Sequence, residues 1–299
     1  MRILFISATR IGDAVLSTGL LDSLLQRHPD ARVTIACGPV AAGIFTRMPQ
    51  LERILVVHKR RFDTHWLTLW GQTATTVWDL AVDLRGSALT FLLPVRRRAI
   101  MRGGRRPGHR LTHLAGTLGL SPPPLPVAWT NASDREMAAT LLPAGSAIIG
   151  LGPTANWTGK IWPPDRFVAL FEALQAGPCP GARPAVFAGP GEDERALAAP
   201  VLAALPGVID LAGRLTLPQA SACLARTSLF IGNDSGLMHM AAAAGAPTLG
   251  LFGPTPASEY APTGRRAAAV LAAGTPGAAP MDALSVASAR QAALRLIEA

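Results

Sequence analysis

Four segments of this chain bring polar groups of the kind that do chemistry to the ends of apolar runs. The most informative is Phe230-Ile231-Gly232-Asn233-Asp234-Ser235-Gly236-Leu237-Met238-His239. It reads as a buried strand, a tight polar turn and a helix that Gly245 and Pro247 stop. Asp234 and Ser235 are capping types, and Gly236 lets the backbone approach a ligand closely. The unpaired N–H groups at such a helix start suit a phosphate. Taken alone, the stretch is explained equally well as a capped turn with no ligand. Lys160 lies in Thr154-Ala155-Asn156-Trp157-Thr158-Gly159-Lys160, and it and Lys59 are the only lysines among 28 basic residues. Glu192 follows Gly189-Pro190-Gly191, and Asp13 ends the loop that starts at Ser7.

These groups need a scaffold, and the hydrophobic pattern supplies one. Residues 2–7 are apolar without alternation, as in a strand buried on both faces. A helix is expected from Asp13 to Arg27, with Leu16, Leu20, Leu21, Leu24 and Leu25 as its stripe. Strands are expected at 33–37, 54–57 and 80–84, with helices near 40–47 and 67–76. A second series starts at 147–151. Its strands are expected at 185–188, 208–211, 228–231 and 248–252, and Pro163-Pro164-Asp165 opens a helix. Alternating strands and helices give parallel sheets covered on both faces, hence two doubly wound α/β domains facing each other. The boundary is placed near 125–145, with the domains taken as 1–140 and 141–299, and the last helix, about 281–297, is expected to cross back onto the first domain. In such sheets ligands bind at the carboxyl ends of the strands, which is where all four segments end.

Composition narrows the classes. The 299 residues suffice for two domains of about 150 each. No apolar run approaches the ~18 residues of a membrane span, and residues 1–6 read as a first strand, not a signal peptide. Cys37, Cys179 and Cys223 are odd in number and widely spaced, which fits core thiols in a reduced cytoplasm and no metal site. A net charge of +9 points to an acidic partner. Aromatics are only 5%, without a helix-turn-helix, RNP or zinc-finger pattern, so nucleic acid is not expected. Residues 94–113 crowd Arg96, Arg97, Arg98, Arg102, Arg105, Arg106 and Arg110 among Gly103, Gly104, Pro107 and Gly108. This stretch is expected to be a basic loop, either simply solvated or meeting acceptor phosphates or an anionic membrane surface.

The loop after the first strand has one glycine, Gly12, and lacks G-x-G-x-x-G; a Walker loop is also absent. Hydride transfer and ATP hydrolysis are therefore disfavoured. A nucleotide-diphosphate sugar asks for other groups: a cation for the leaving diphosphate, a carboxylate for ribose hydroxyls and a base for the acceptor.

Four motifs then carry a resemblance. Arg10-Ile11-Gly12-Asp13-Ala14-Val15-Leu16, Gly159-Lys160-Ile161-Trp162-Pro163, Asp234-Ser235-Gly236-Leu237-Met238-His239-Met240-Ala241-Ala242 and Leu251-Phe252-Gly253-Pro254-Thr255 are similar, in order, to motifs of glycosyltransferase family 9. This is the heptosyltransferase family of lipopolysaccharide core synthesis. The resemblance implies a GT-B fold, with the two Rossmann-like domains (1–140 acceptor-binding, 141–299 donor-binding) facing across a cleft. It implies an inverting, metal-independent transfer without a cofactor, most simply of heptose from ADP-heptose to a lipopolysaccharide core or related glycan. By position, Asp13 would be the general base, Lys160 would meet the diphosphate and Glu192 would hold the ribose. Asn156, Asp234, Ser235, Gly236 and His239 would complete the donor pocket, while Arg10, Arg97 and Arg98 would bind the acceptor. The protein is expected to be monomeric and cytoplasmic, with a peripheral contact to the inner membrane. Ser7-Ala8-Thr9-Arg10 and Asn156-Trp157 depart from the best-known members, which leaves the donor sugar open. A non-catalytic nucleotide-sugar-binding protein and a GT-B epimerase or hydrolase are the alternative readings.

Overall fold

The computed structural model describes residues 1–59, 61–102 and 107–298. The chain forms two compact units, Met1–Trp129 and the remainder from Thr130.

The first unit contains β1 (Arg2–Ile6), α1 (Ile11–Arg27), β2 (Arg32–Cys37), β3 (Leu51–Val56), α2 (His65–Thr73), β4 (Trp78–Asp83), β5 (Val95–Ile100) and α3 (Arg110–Gly116). Its parallel sheet has the order β3-β2-β1-β4-β5. Ile3, Phe5, Val33, Ile35 and Val82 bury one face against the leucine stripe of α1, all of whose five leucines are buried. Leu4, Ile6 and Ala81 bury the other face with Leu69 of α2, Trp78, Leu89 and Leu93. This two-sided burial explains why β1 has no polar alternation. Burial pushes the Cys37 thiol up to about 12, so it stays protonated as a small apolar side chain.

The second unit contains α4 (Ala132–Leu141), β6 (Ile148–Gly152), α5 (Pro164–Gln175), β7 (Arg183–Val186), α6 (Glu192–Ala204), β8 (Ile209–Asp210) and α7 (Leu217–Leu224). It continues with β9 (Leu229–Asn233), α8 (Gly236–Ala243), β10 (Thr248–Phe252), α9 (Ala257–Tyr260), β11 (Ala267–Leu271) and α10 (Val286–Glu298). Its sheet is also parallel, in the order β11-β10-β9-β6-β7-β8. One face packs Ile149, Leu151, Leu229 and Ile231 against Trp162, Phe167, Phe171 and α10. On the other, Phe230 lies against Gly150, Gly152 and Gly232. A Cβ at Gly152 would come within 2.7 Å of the Phe230 ring. Gly152→Ala should therefore overpack this face by about 1–3 kcal/mol. In thermal denaturation that is a fall of about 2–4 °C in Tm per kcal/mol.

Three expectations need correction. α1 begins at Ile11, so Asp13 lies in its first turn while Arg10 occupies the N-cap position without a side-chain bond. The arginine stretch is not a plain loop: β5 and α3 form within it, and Arg105, Arg106, Gly103 and Gly104 lie outside the described residues. β5 is a sheet edge, and Arg96, Arg97 and Arg98 are all exposed there, so its side chains give no hydrophobic signal. The last helix buries Ala289, Ala292, Ala293 and Leu296 in the second unit's own core. The units divide at 129/130, and α4 packs on α7, while the carbonyl of its C-cap residue Leu142 accepts from Arg226. No described helix is long and apolar enough to cross a membrane.

Candidate functional site

In the second unit, the strand order reverses between β6 and β9, so the carboxyl ends of these neighbours form the sheet's switch point. The loop after β6 carries Lys160 and the turn after β9 carries Asp234. They meet there: Lys160 Nζ stands 2.6 Å from Asp234 Oδ2, with side chains 20% and 8% exposed. Residues 74 positions apart in sequence thus form one charge-assisted pair.

The pair rests on a second link close by, one residue from Asp234 and two from Lys160. Asn233 ends β9 fully buried, and its Oδ1 accepts from the Trp162 backbone N–H at 3.0 Å. The Trp162 indole is buried and donates to the Leu284 carbonyl. The Lys160 loop is therefore pinned both by its lysine and by its backbone.

Ser235 is the N-cap residue of α8, in an extended conformation, but its side chain makes no capping bond. Its Oγ is buried without a hydrogen-bond partner, and so is Oγ1 of Thr255, in the loop after neighbouring β10. Buried hydroxyls normally have partners, so these two leave hydrogen-bonding capacity unused beside the switch point. The N–H groups of the first turn of α8 point out of the helix there, next to Gly236. His239 lies one turn along α8 and is buried.

The remaining expected donor residues are more exposed. Glu192 is the first residue of α6 and faces solvent, after Gly191, whose φ of 111° favours glycine. Its neighbour Glu194 turns back instead and accepts from the Gly189 N–H. Arg195, one turn on, reaches Asp210 at 2.8 Å, and Arg214 reaches the same carboxylate. Burial works against the Asp210 charge, but the bond from Arg195, the Ala212 N–H and both arginines outweigh it and hold the carboxyl below its ordinary range. This clamp fixes the start of α6 to the end of β8. Asn156 is exposed in the β6 loop.

In the first unit, the order reverses between β1 and β4, and the loop after β1 leads into Asp13. Its Oδ1 stands 3.4 Å from Nε of Arg110 at the start of α3, both side chains 27% exposed. Sequence reasoning counted Arg110 only as part of a charge run, because nothing local ties it to a residue 97 positions earlier. Arg10 is exposed three residues before Asp13. Arg98 donates to the Thr90 and Leu93 carbonyls, so its guanidinium holds the β4–β5 connection in place. Arg97 is exposed on β5.

Comparison with known proteins agrees with this architecture. The family model described as glycosyltransferase family 9 (heptosyltransferase) matches residues 108–282. Lipopolysaccharide heptosyltransferase 3 of Escherichia coli is 25% identical over 278 residues, covering 82% of this chain and 81% of that protein. Among solved structures, a glycosyltransferase family 9 protein from Veillonella parvula DSM 2008 superposes with a TM-score of 0.83 at 19% identity, over 99% of this chain and 97% of that one. The E. coli heptosyltransferase WaaC with ADP gives 0.76 at 19% identity, over 99% and 100% of the two chains. These likenesses establish a shared fold. With the matched motifs and more than half the chain under one family description, the chain belongs to glycosyltransferase family 9, the heptosyltransferases.

Proposed function

We propose that this glycosyltransferase moves heptose from ADP-heptose to an anionic glycolipid or glycan acceptor related to the lipopolysaccharide core. The reading takes the two units as a GT-B pair, the first unit binding the acceptor and the second the donor across a cleft. It is supported by the names of the relatives, but above all by one observation: the Lys160–Asp234 pair, the α8 amides and the unpartnered Ser235 and Thr255 hydroxyls gather at one switch point.

The chemistry follows from the groups. The diphosphate is met by Lys160, held in place by Asp234, and by the N–H groups at Ser235 and Gly236. Thr255 joins Asn156 and His239 around the donor, and Glu192 takes the ribose hydroxyls. In the first unit, Asp13 accepts the proton of the acceptor hydroxyl while Arg10 and Arg97 meet acceptor phosphates. The acceptor oxygen forms a bond to the anomeric carbon as the bond to the diphosphate oxygen breaks. That electron pair leaves with ADP, and in-line substitution inverts the configuration. With lysine and amides neutralising the leaving group, the step needs no metal or cofactor. The protein acts as a cytoplasmic monomer in peripheral contact with the inner membrane.

A thermal-shift screen of ADP-, GDP-, UDP- and dTDP-sugars tests the donor. A ligand at 100 times its Kd stabilises by about 2.7 kcal/mol, so ADP-heptose should raise Tm by about 5–10 °C and the others by less. No shift with any nucleotide sugar would overturn the reading. Release of free heptose or a changed sugar from ADP-heptose alone, without acceptor, would favour the hydrolase or epimerase alternative.

A further inference from the structure

α2 and the 3-10 turn Leu89–Leu92 cover one face of the first sheet, and their inward side chains Leu69 and Leu89 are buried with Trp78. Their outward side chains are also apolar. Leu67 and Leu92 are each 69% exposed, Phe91 67% and Trp70 44%. The core is already closed by the inner residues, so packing does not require these four. They form one surface. Leu67 and Trp70 are one turn apart on α2, and the Trp70 indole N–H donates to the Leu92 carbonyl at 3.0 Å. Single exposed leucines are ordinary, but a joined apolar patch marks an interaction site.

The border of this patch is cationic. The Arg98 guanidinium lies 5.9 Å from the centre of the Phe91 ring. Arg85 stands 5.3 Å over Trp66, the residue before Leu67. From residue 59 to 102 the sequence holds eight basic residues and three acidic ones, a balance of 8 − 3 = +5. Two of those acids are committed inside the unit: Asp79 to Arg96 and the Arg2 N–H, and Asp83 to the Arg85 and Ser87 N–H groups. Tryptophan, phenylalanine and leucine within an arginine border are the composition of surfaces that lie in a membrane interface. A second copy of this chain is a poor fit, because a two-fold contact through the patch would set arginines against arginines.

We propose that Leu67, Trp70, Phe91 and Leu92 seat the first unit on an anionic phospholipid bilayer. The apolar side chains enter the boundary between headgroups and acyl chains, and the bordering arginines meet lipid phosphates. The proposal deepens the peripheral-membrane part of the reading above and rests on it, but it is independent of the donor chemistry. It moves the contact from the basic run itself to an apolar face that the run borders.

Co-sedimentation of the full chain with phosphatidylglycerol/phosphatidylcholine vesicles and with phosphatidylcholine alone tests it. The wild type should bind the anionic vesicles, bind the neutral ones at least tenfold more weakly, and lose binding as salt rises. The F91S/L92S variant changes only exposed side chains, so its Tm and its donor-induced thermal shift should match the wild type. Its binding to anionic vesicles should fall at least tenfold. If it binds as well as the wild type, the patch is not the seat, although the membrane contact stands. If the wild type binds neither vesicle, the membrane contact fails as well, while the donor screen still decides the transfer reading. A wild-type dimer in lipid-free sedimentation equilibrium that F91S/L92S dissolves would also overturn the proposal, assigning the patch to a second copy.

Discussion

Asp13→Ala should lower turnover by about 10²–10⁴-fold, the usual worth of a positioned general base. The loss should lie in kcat, with donor affinity nearly unchanged, because Asp13 belongs to the first unit and the proposed donor groups to the second. Stability should barely move. The Asp13–Arg110 contact is partly exposed, and pairs of that kind contribute at most about 1 kcal/mol. Asp13→Asn sharpens the comparison, since the amide keeps the shape and the helix position but cannot take the proton. If either variant keeps wild-type turnover under saturating donor and acceptor, Asp13 has no part in the proton transfer.

The second large effect concerns the pair at the switch point. Lys160→Ala leaves the Asp234 carboxylate buried without its cation. Breaking a buried pair from one side costs about 3–5 kcal/mol, and the partial exposure of Lys160 places the cost near the lower figure. A fall of about 6–12 °C in Tm is then expected. Donor affinity should drop too, by about 10–100-fold, the worth of a hydrogen bond from a charged group to the diphosphate. The double variant Lys160→Ala/Asp234→Asn separates the two effects. It removes the stranded charge, so most of the lost stability should return, while donor affinity should stay low. Asp234→Asn alone should retain the lysine and much of the donor binding. If the double variant recovers donor affinity along with stability, Lys160 is a structural residue and not a diphosphate ligand.

Much of this fold was legible because buried parallel strands announce themselves. β1, β2, β9 and β10 are short apolar runs ended by turn residues, and α1 carries its leucines at helical spacing. β5 and β11 were not legible. In β5 the three arginines conceal an edge strand that is held by main-chain bonds to β4. β11 is mostly alanine, which has little strand preference, and it pairs only because β10 offers an open edge. At the site, Lys160 and Asp234 were each readable from their motifs, but their union was not, since it depends on β6 and β9 becoming neighbours. Asn233 shows the same limit. In sequence it is one more turn-forming residue, and only the approach of the Trp162 N–H gives it work. Asp13 was expected to end the loop and open the helix, and the helix instead starts two residues sooner, which places the carboxylate on the first turn next to a positively charged helix end.

The scarcity of lysine gives the Lys160–Asp234 contact a built-in chemical reporter. Only two side-chain primary amines exist in the whole chain: Lys59, which is exposed, and Lys160, which is largely enclosed and already engaged. An acylating reagent followed by mass spectrometry would therefore read the state of the switch point at a single atom, with the other amine as its internal standard. Occupancy of the pocket, or loss of its carboxylate neighbour, would be recorded as a change in labelling rate without any engineered probe.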